Sequence, residues 1–241
     1  MASTAAVKLA PQVWRIPTTP ADLVNSFAFV DDDGSVTLVD ASHRFGVGRL
    51  LAGLAAMGKH PGDVRRILLT HAHLDHAGGA AQLVQTAGLG GVSAHPADAE
   101  FLRTGSAPPR DRSLSGLLAV LARLPGQGFP PVAVSAELTP GETLDVAGGL
   151  EVVHTPGHTP GHVSLLHRGT GVLVTGDAIW NMRRRLSWPF LAFCTDARLT
   201  QQTADVLGDL EYDVAAFTHG PEIRGGAREA VRGFLARAAR R

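Results

Sequence analysis

The chain of 241 residues has one cysteine, Cys194, almost no lysine (Lys8 and Lys59), no net charge and no long uninterrupted apolar run. Each shortage removes a class of function. A single cysteine forms no internal disulfide and completes no paired-cysteine metal or redox motif, so Cys194 reads as a small buried hydrophobe. Lysine plus arginine equals aspartate plus glutamate, 22 of each. No overall field would therefore gather nucleic acid or an anionic membrane, and neither is expected as a partner. No window is apolar for long enough to span a bilayer, and Met1 to Val7 lacks the basic-then-apolar pattern of a leader, so a cytoplasmic location is expected. The sequence shows no low-complexity tract and no short-period repeat.

The 44% hydrophobic content is enough for a substantial core, read here as one domain over 1–241. Short runs rich in branched residues predict strands at 13–16, 26–30, 36–39, 67–69, 92–94, 143–146, 150–154, 163–167, 172–175 and 214–218. Helical spacing of Leu50, Leu51, Leu54 and Met57 predicts a helix over 47–57, with Gly58 at its C-terminal cap. Further helices are expected at 77–86, 196–207 and 227–239. The segment 96–131, with Leu114, Leu117, Leu118 and Leu121 in one stripe, reads as an inserted helical flap. Strands in runs with helices outside them predict an α/β fold: a four-layer αβ/βα sandwich of two mixed β-sheets with helices on the outer faces.

Chemistry concentrates at strand ends. Thr70-His71-Ala72-His73-Leu74-Asp75-His76 places three imidazoles and a carboxylate directly after an apolar strand, in a loop whose fixed backbone can aim them at one point. Imidazole and carboxylate together suit zinc, iron or manganese. His158 sits in Thr155-Pro156-Gly157-His158-Thr159-Pro160-Gly161-His162, a tight loop that can press a histidine against a metal. Asp177 and His219 each follow an apolar strand, so their side chains emerge at strand ends.

On these motifs the chain resembles the metallo-β-lactamase fold superfamily, in the hydrolase branch that includes glyoxalase II and lactone-cleaving enzymes. Asp40 matches the first motif, a structural aspartate expected to bond the histidine loop; the H-x-H-x-D-H loop matches the second; His158, Asp177 and His219 match the third, fourth and fifth. The resemblance implies that His71, His73 and His158 hold one metal, that Asp75, His76 and His219 hold a second, and that Asp177 bridges both. It also implies two divalent ions, zinc first with iron or manganese as alternatives, and a shared hydroxide that attacks a carbonyl. Asp75 and Asp177 would be the catalytic carboxylates. His162 reads as a loop-bracing histidine, and His43, His60, His95, His154 and His167 as structural or surface groups, His43 being the best placed of these to line the pocket.

Departures from the family pattern narrow the chemistry. An aspartate at the bridging position argues against a β-lactamase, which typically has cysteine or serine there. Glyoxalase II carries a long C-terminal helical region for glutathione, whereas one helix is expected after His219 here. The lactone-cleaving members commonly place a tyrosine three residues beyond the bridging aspartate; this chain has Trp180, which donates one hydrogen bond but is no phenolic acid. The expected function is a dinuclear hydrolase cleaving an ester, thioester or lactone of a small molecule. A mononuclear iron persulfide dioxygenase-like oxidoreductase is the alternative. Trp180, Trp188 and Phe190, in a loop with Leu186 and Phe193, form either a substrate pocket wall or a loop anchor. Arg183-Arg184-Arg185 is either a solvated face or a reach toward an anionic substrate.

Overall fold

Side-chain alternation along the strands produces three apolar layers and hence four layers of structure. The computed structural model describes residues 6–124 and 126–238. The first sheet contains β1 (Val7–Ala10), β2 (Val13–Pro17), β3 (Asn25–Val30), β4 (Val36–Val39), β5 (Val64–Leu68), β6 (Val92–Ala94) and β7 (Val134–Glu137) in sequential order. Its pairing is antiparallel up to β4 and parallel from β4 to β7. The second sheet contains β8 (Thr143–Leu144), β9 (Leu150–His154), β10 (Val163–His167), β11 (Val172–Val174), β12 (Val214–Ala216) and β13 (Ile223–Arg224). Its pairing is antiparallel except for the parallel pair β11 and β12.

Phe27 and Phe29 of β3 point between the sheets, where they meet Leu150, Val152, Val163 and Leu165. Ala28, between them in sequence, faces the opposite way with Leu38 toward α1 (Val47–Ala56) and its Leu50 and Leu54. On the second sheet Leu165, Val172 and Val174 point inward, while Leu166 and Leu173 pack outward on Leu207, Val231 and Leu235. Period-two strands buried on both faces require this arrangement, and it yields the expected sandwich of two mixed sheets covered by helices. Among the described residues no helix is long and apolar enough to cross a membrane.

The helices differ from expectation in instructive ways. The stretch expected as one helix over 77–86 is two, α2 (Leu74–Ala77) and α3 (Ala80–Ala87), broken at Gly78-Gly79. A Cβ on Gly79 would collide with the Ala41 carbonyl and the Val47 side chain, and one on Gly78 would lie 3.1 Å from the His43 Cα. The break brings the histidine-bearing turn against the loop that follows β4. Within 96–131, α4 (Pro96–Thr104) buries Ala99 and Leu102, whereas α5 (Gly116–Ala122) leaves Leu117 72% exposed, so the expected leucine stripe is only partly covered. The helix expected at 196–207 divides into α6 (Ala197–Thr203) and α7 (Val206–Asp209). The last, α8 (Ala227–Ala238), agrees with expectation; Ala239 lies outside the described residues. Strands β1, β7 and β13 were not expected; β1 and β7 form the edges of the first sheet and β13 one edge of the second.

Substituting Gly79→Ala should destabilise the protein by about 1–3 kcal/mol, although alanine is the better helix former, because overpacking outweighs propensity at a closed contact. Thermal or denaturant unfolding checks the sign; a stabilised variant would show that this contact yields freely.

Candidate metal centre

Parallel pairing of β4 with β5 and of β11 with β12 sends the carboxyl ends of these strands to one edge of the sandwich. The loops there carry Asp40, residues 70–76, Asp177 and His219, and the β9–β10 loop adds His158 and His162. Asp40, in a left-handed conformation (φ 61°), organises the histidine loop. Its carboxylate accepts from the Thr70 backbone N–H at 2.8 Å, the Thr70 hydroxyl at 2.8 Å and His76 Nδ1 at 2.8 Å. With its hydroxyl proton given to Asp40, Thr70 Oγ1 accepts from His71 Nδ1 at 3.0 Å. His219 Nδ1 donates to the Leu23 carbonyl at 2.5 Å.

These bonds fix tautomers, because a ring that donates through Nδ1 presents a bare lone pair at Nε2. His71 Nε2 is buried without a hydrogen-bond partner among the described residues. His76 Nε2 and His219 Nε2 face each other at 3.3 Å, and His73 Nδ1 faces His158 Nε2 at 2.9 Å. The Nε2 atoms of His71, His76 and His219, bare when Nδ1 donates, thus converge in a buried space, an arrangement that a proton or a metal cation relieves. The donor set fits metal.

Three overlapping groups have their potential ligand atoms close enough for one ion: His71, His73 and His158; His71, His76 and Asp177; and Asp75, His76 and His219. Asp177 Oδ2 lies 3.3 Å from His158 Nε2, while its Oδ1 lies 3.5 Å from His76 Nε2 and 3.3 Å from His219 Nε2. Asp75 Oδ2 lies 3.6 Å from His76 Nε2 and 3.5 Å from His219 Nε2. All seven side chains expected at the metals therefore meet.

The two ends of the cluster differ in charge. Burial lowers His71 and His158 well below the usual imidazole range and His73 to about 4, so these rings are neutral. Burial also opposes charge on His76, but Asp75, Asp177 and Asp40 outweigh it and hold His76 well above its ordinary value. At His219 burial is likewise outweighed, chiefly by Asp177, and the pKa rises. Against burial, His76 and His219 hold Asp75 and Asp177 below the usual carboxylate range. Without metal, protons occupy the acidic end.

Other side chains fix the ligands. His162, fully buried, accepts from the Asp177 backbone N–H through Nε2 at 2.7 Å and donates through Nδ1 to the Thr155 carbonyl at 3.0 Å, so it braces the loop as expected. The Thr218 hydroxyl donates to Asp177 Oδ1 at 2.6 Å. Cys194 is more than a filler, for its Sγ lies 3.4 Å from His158 Nδ1; burial pushes its thiol up to about 12. Asp98 joins two ligand loops: its carboxylate accepts from Ala72 N–H at 2.9 Å, the Thr159 hydroxyl at 2.6 Å and Gly161 N–H at 2.7 Å. In sequence Asp98 signals only the first turn of a helix, since its partners stand 26 to 63 positions away.

A cavity of about 510 Å³ opens on His73, Asp75, His158 and Asp177, with Trp180, His43, Arg110 and Phe193 among its walls. The aromatic loop divides. Trp180 lies on this cavity, its ring 4.4 Å from His219, whereas Trp188 packs on Phe234 of α8 at 4.8 Å and faces a separate cavity. Phe190 stacks edge-on with Phe193 and is not among the cavity's lining residues. The isolated antiparallel bridge between Trp180 and Ser187 turns the chain back here, so neighbouring rings reach opposite sides. Arg184 and Arg185 line the separate cavity and Arg183 is exposed, so the arginine run does not reach the metal-binding groups. His60 is exposed, His95 stacks on His154 at 4.2 Å, and His167 bonds the Ala147 carbonyl, as structural or surface histidines.

Two outcomes follow from this geometry. Zinc binding should release protons, with affinity rising as pH rises through the ionisation of His76 and His219; calorimetry in buffers of different ionisation enthalpy reads the release directly. Asp98→Ala should weaken metal binding about 10–100-fold with native circular dichroism retained, and Asp98→Asn less so. Unchanged metal affinity in Asp98→Ala would remove its clasping role.

Comparison with known proteins agrees with the site. The sequence model of the metallo-beta-lactamase superfamily matches residues 19–219. The Bacillus subtilis protein YobT is 30% identical over 224 residues, covering 88% of this chain and 90% of that protein. The hydroxyacylglutathione hydrolase GloC of Haemophilus influenzae is 34% identical over 119 residues, 49% of this chain and 51% of its own length. A solved metallo-beta-lactamase family protein from Thermus thermophilus superposes with a TM-score of 0.73 at 28% identity, covering 97% of this chain and 81% of that one. The chain belongs to the metallo-beta-lactamase superfamily, and its fold, relatives and clustered histidines support a metal-dependent hydrolase.

Proposed function

We propose that the chain is a dinuclear hydrolase that opens an ester, thioester or lactone bond of a small molecule. One observation carries the reading: the two oxygens of Asp177 turn to different groups, Oδ2 to His158 and Oδ1 to His76 and His219. A carboxylate so divided suits two cation positions, the first held by His71, His73 and His158 and the second by Asp75, His76 and His219. Two divalent ions bound there, zinc being the first choice for this donor set, would supply an acidified water and an electrophile for the carbonyl oxygen.

The protein's own groups do the rest. His162 and the Thr218 hydroxyl hold Asp177 at backbone and side chain. Asp75, which turns Oδ2 toward His76 and His219, keeps Oδ1 to move a proton from the attacking water to the departing oxygen or sulfur. The one thiol does not compete as a nucleophile: Cys194 is buried and protonated at neutral pH. The one tyrosine, Tyr212, is buried against the outer helices with Ala215 and Phe217. Trp180 forms part of one wall of the cavity, whose volume of about 510 Å³ suits a small substrate. A small molecule, rather than nucleic acid or a membrane, is the partner this cavity suits. Hydroxyacylglutathione hydrolases among the relatives add support for a thioester.

Metal analysis with a panel of thioesters, lactones and aryl esters tests the reading. Two zinc ions per chain and turnover of at least one class are expected. His158→Ala and Asp75→Ala should abolish turnover and lower metal content, while His162→Ala keeps most of the metal. A His158→Ala protein with full metal content would undo the ligand assignment. One iron per chain with oxygen uptake on glutathione persulfide would replace the hydrolase with the oxidoreductase alternative.

A further inference from the structure

The floor of the metal-facing cavity is taken up by side chains committed to the cation positions, so selectivity must come from the walls. Among the described wall residues, Arg110 alone carries a fixed charge. Its Nη1 donates to the Leu121 and Leu124 carbonyls, each at 3.1 Å, at the C-terminal end of α5. Its guanidinium plane sits over the Phe193 ring, 4.7 Å from the centroid. Nε and Nη2 have no hydrogen-bond partner, and no carboxylate lies within ion-pairing distance, among the described residues. A helix-end cap uses one corner of the guanidinium. The remaining fork, Nε and Nη2 of a residue that lines this cavity and packs on Phe193, is the geometry that takes a carboxylate through two parallel hydrogen bonds.

The surroundings specify the rest of the ligand. Pro108, Leu124 and Phe193 make the neighbouring wall apolar. Leu124 is 55% and Phe193 42% exposed, an apolar rim that a bound molecule would cover. We infer that Arg110 is a specificity-determining residue and that the cavity takes substrates bearing a carboxylate, joined by a short apolar portion to the bond that is cleaved. This rests on the hydrolase reading for the identity of that bond. The carboxylate's recognition by Arg110 does not depend on it.

The test uses pairs that differ only in charge: S-butanoyl mercaptopropionate against the corresponding mercaptopropionamide, and the butanoyl esters of meta-hydroxybenzoate and meta-hydroxybenzamide. Zinc-loaded wild-type protein should favour the carboxylate member about tenfold or more in kcat/KM, through KM, with the preference shrinking as salt rises. In Arg110→Gln the ratio should fall to near one, and Arg110→Lys should keep part of it. The exposed control Arg168→Gln should keep all of it. Each ratio is internal to one preparation, so reduced metal occupancy or a loosened α5 does not mimic the result. A carboxylate preference that survives in Arg110→Gln, or is absent from the wild type, overturns the inference. Calorimetry with the uncleavable thioether S-butyl mercaptopropionate and its amide separates the two claims. If none of the esters or thioesters is turned over, the hydrolase reading fails. Arg110-dependent preference for the acidic thioether then sustains the pocket assignment, and equal binding of both thioethers rejects it.

Discussion

Imidazole lone pairs directed at one buried space are the constraint on which the rest of the structure depends. Bare nitrogens about 3 Å apart repel, and in a low dielectric the repulsion is not screened. Proteins do not assemble such a cluster without something to relieve it. Here the tautomers are set from outside: Asp40 fixes His76 directly and His71 through Thr70, and the Leu23 carbonyl fixes His219. The outer bonds therefore decide that the inner nitrogens act as acceptors of a cation. Their burial makes water a poor substitute, and the three carboxylates at one end supply the negative charge that a divalent ion would balance.

The fold serves this constraint by bringing strand ends together. Each half of the chain contributes a parallel pair, β4 with β5 and β11 with β12, whose carboxyl ends open on the same edge. The side chains emerge from backbone already fixed by the sheets, so little conformational freedom remains to be lost when they gather. Asp98 performs the corresponding task between loops. One buried carboxylate spans the backbone beside His73 and the backbone beside His162, so the two loops are held to a common distance.

Much of this was legible in the sequence, for physical reasons that also mark where legibility ends. The histidine loop could be read because its ligands are contiguous, and Asp177 and His219 because a polar residue directly after an apolar strand has one place to go. The sandwich followed from strands buried on both faces. The helix break at Gly78-Gly79 did not: glycine spacing signals closeness, but the Ala41 carbonyl that requires it lies far upstream. Cys194 looked inert because its partner, His158, stands 36 residues away. Trp180 and Trp188 looked alike until the short bridge between Trp180 and Ser187 sent them to different cavities. Arg110 carried no signal, since a lone arginine in a loop is ordinary until its neighbours are known.

The bond from His219 to Leu23 crosses 196 positions of chain, and Asn25 reinforces it by donating to the carbonyls of Phe217 and Gly220. A ribosome delivers these partners nearly two hundred residues apart. While the polypeptide is emerging, His71, His73 and His76 exist long before His219 does, and the early part of the chain holds an incomplete set of donors. Maturation of the centre thus waits until residue 219 has left the exit tunnel and β12 with its following loop has closed onto the segment that leads into β3. Any ion captured sooner would sit in a half-built cage, free to leave or be exchanged until that closure.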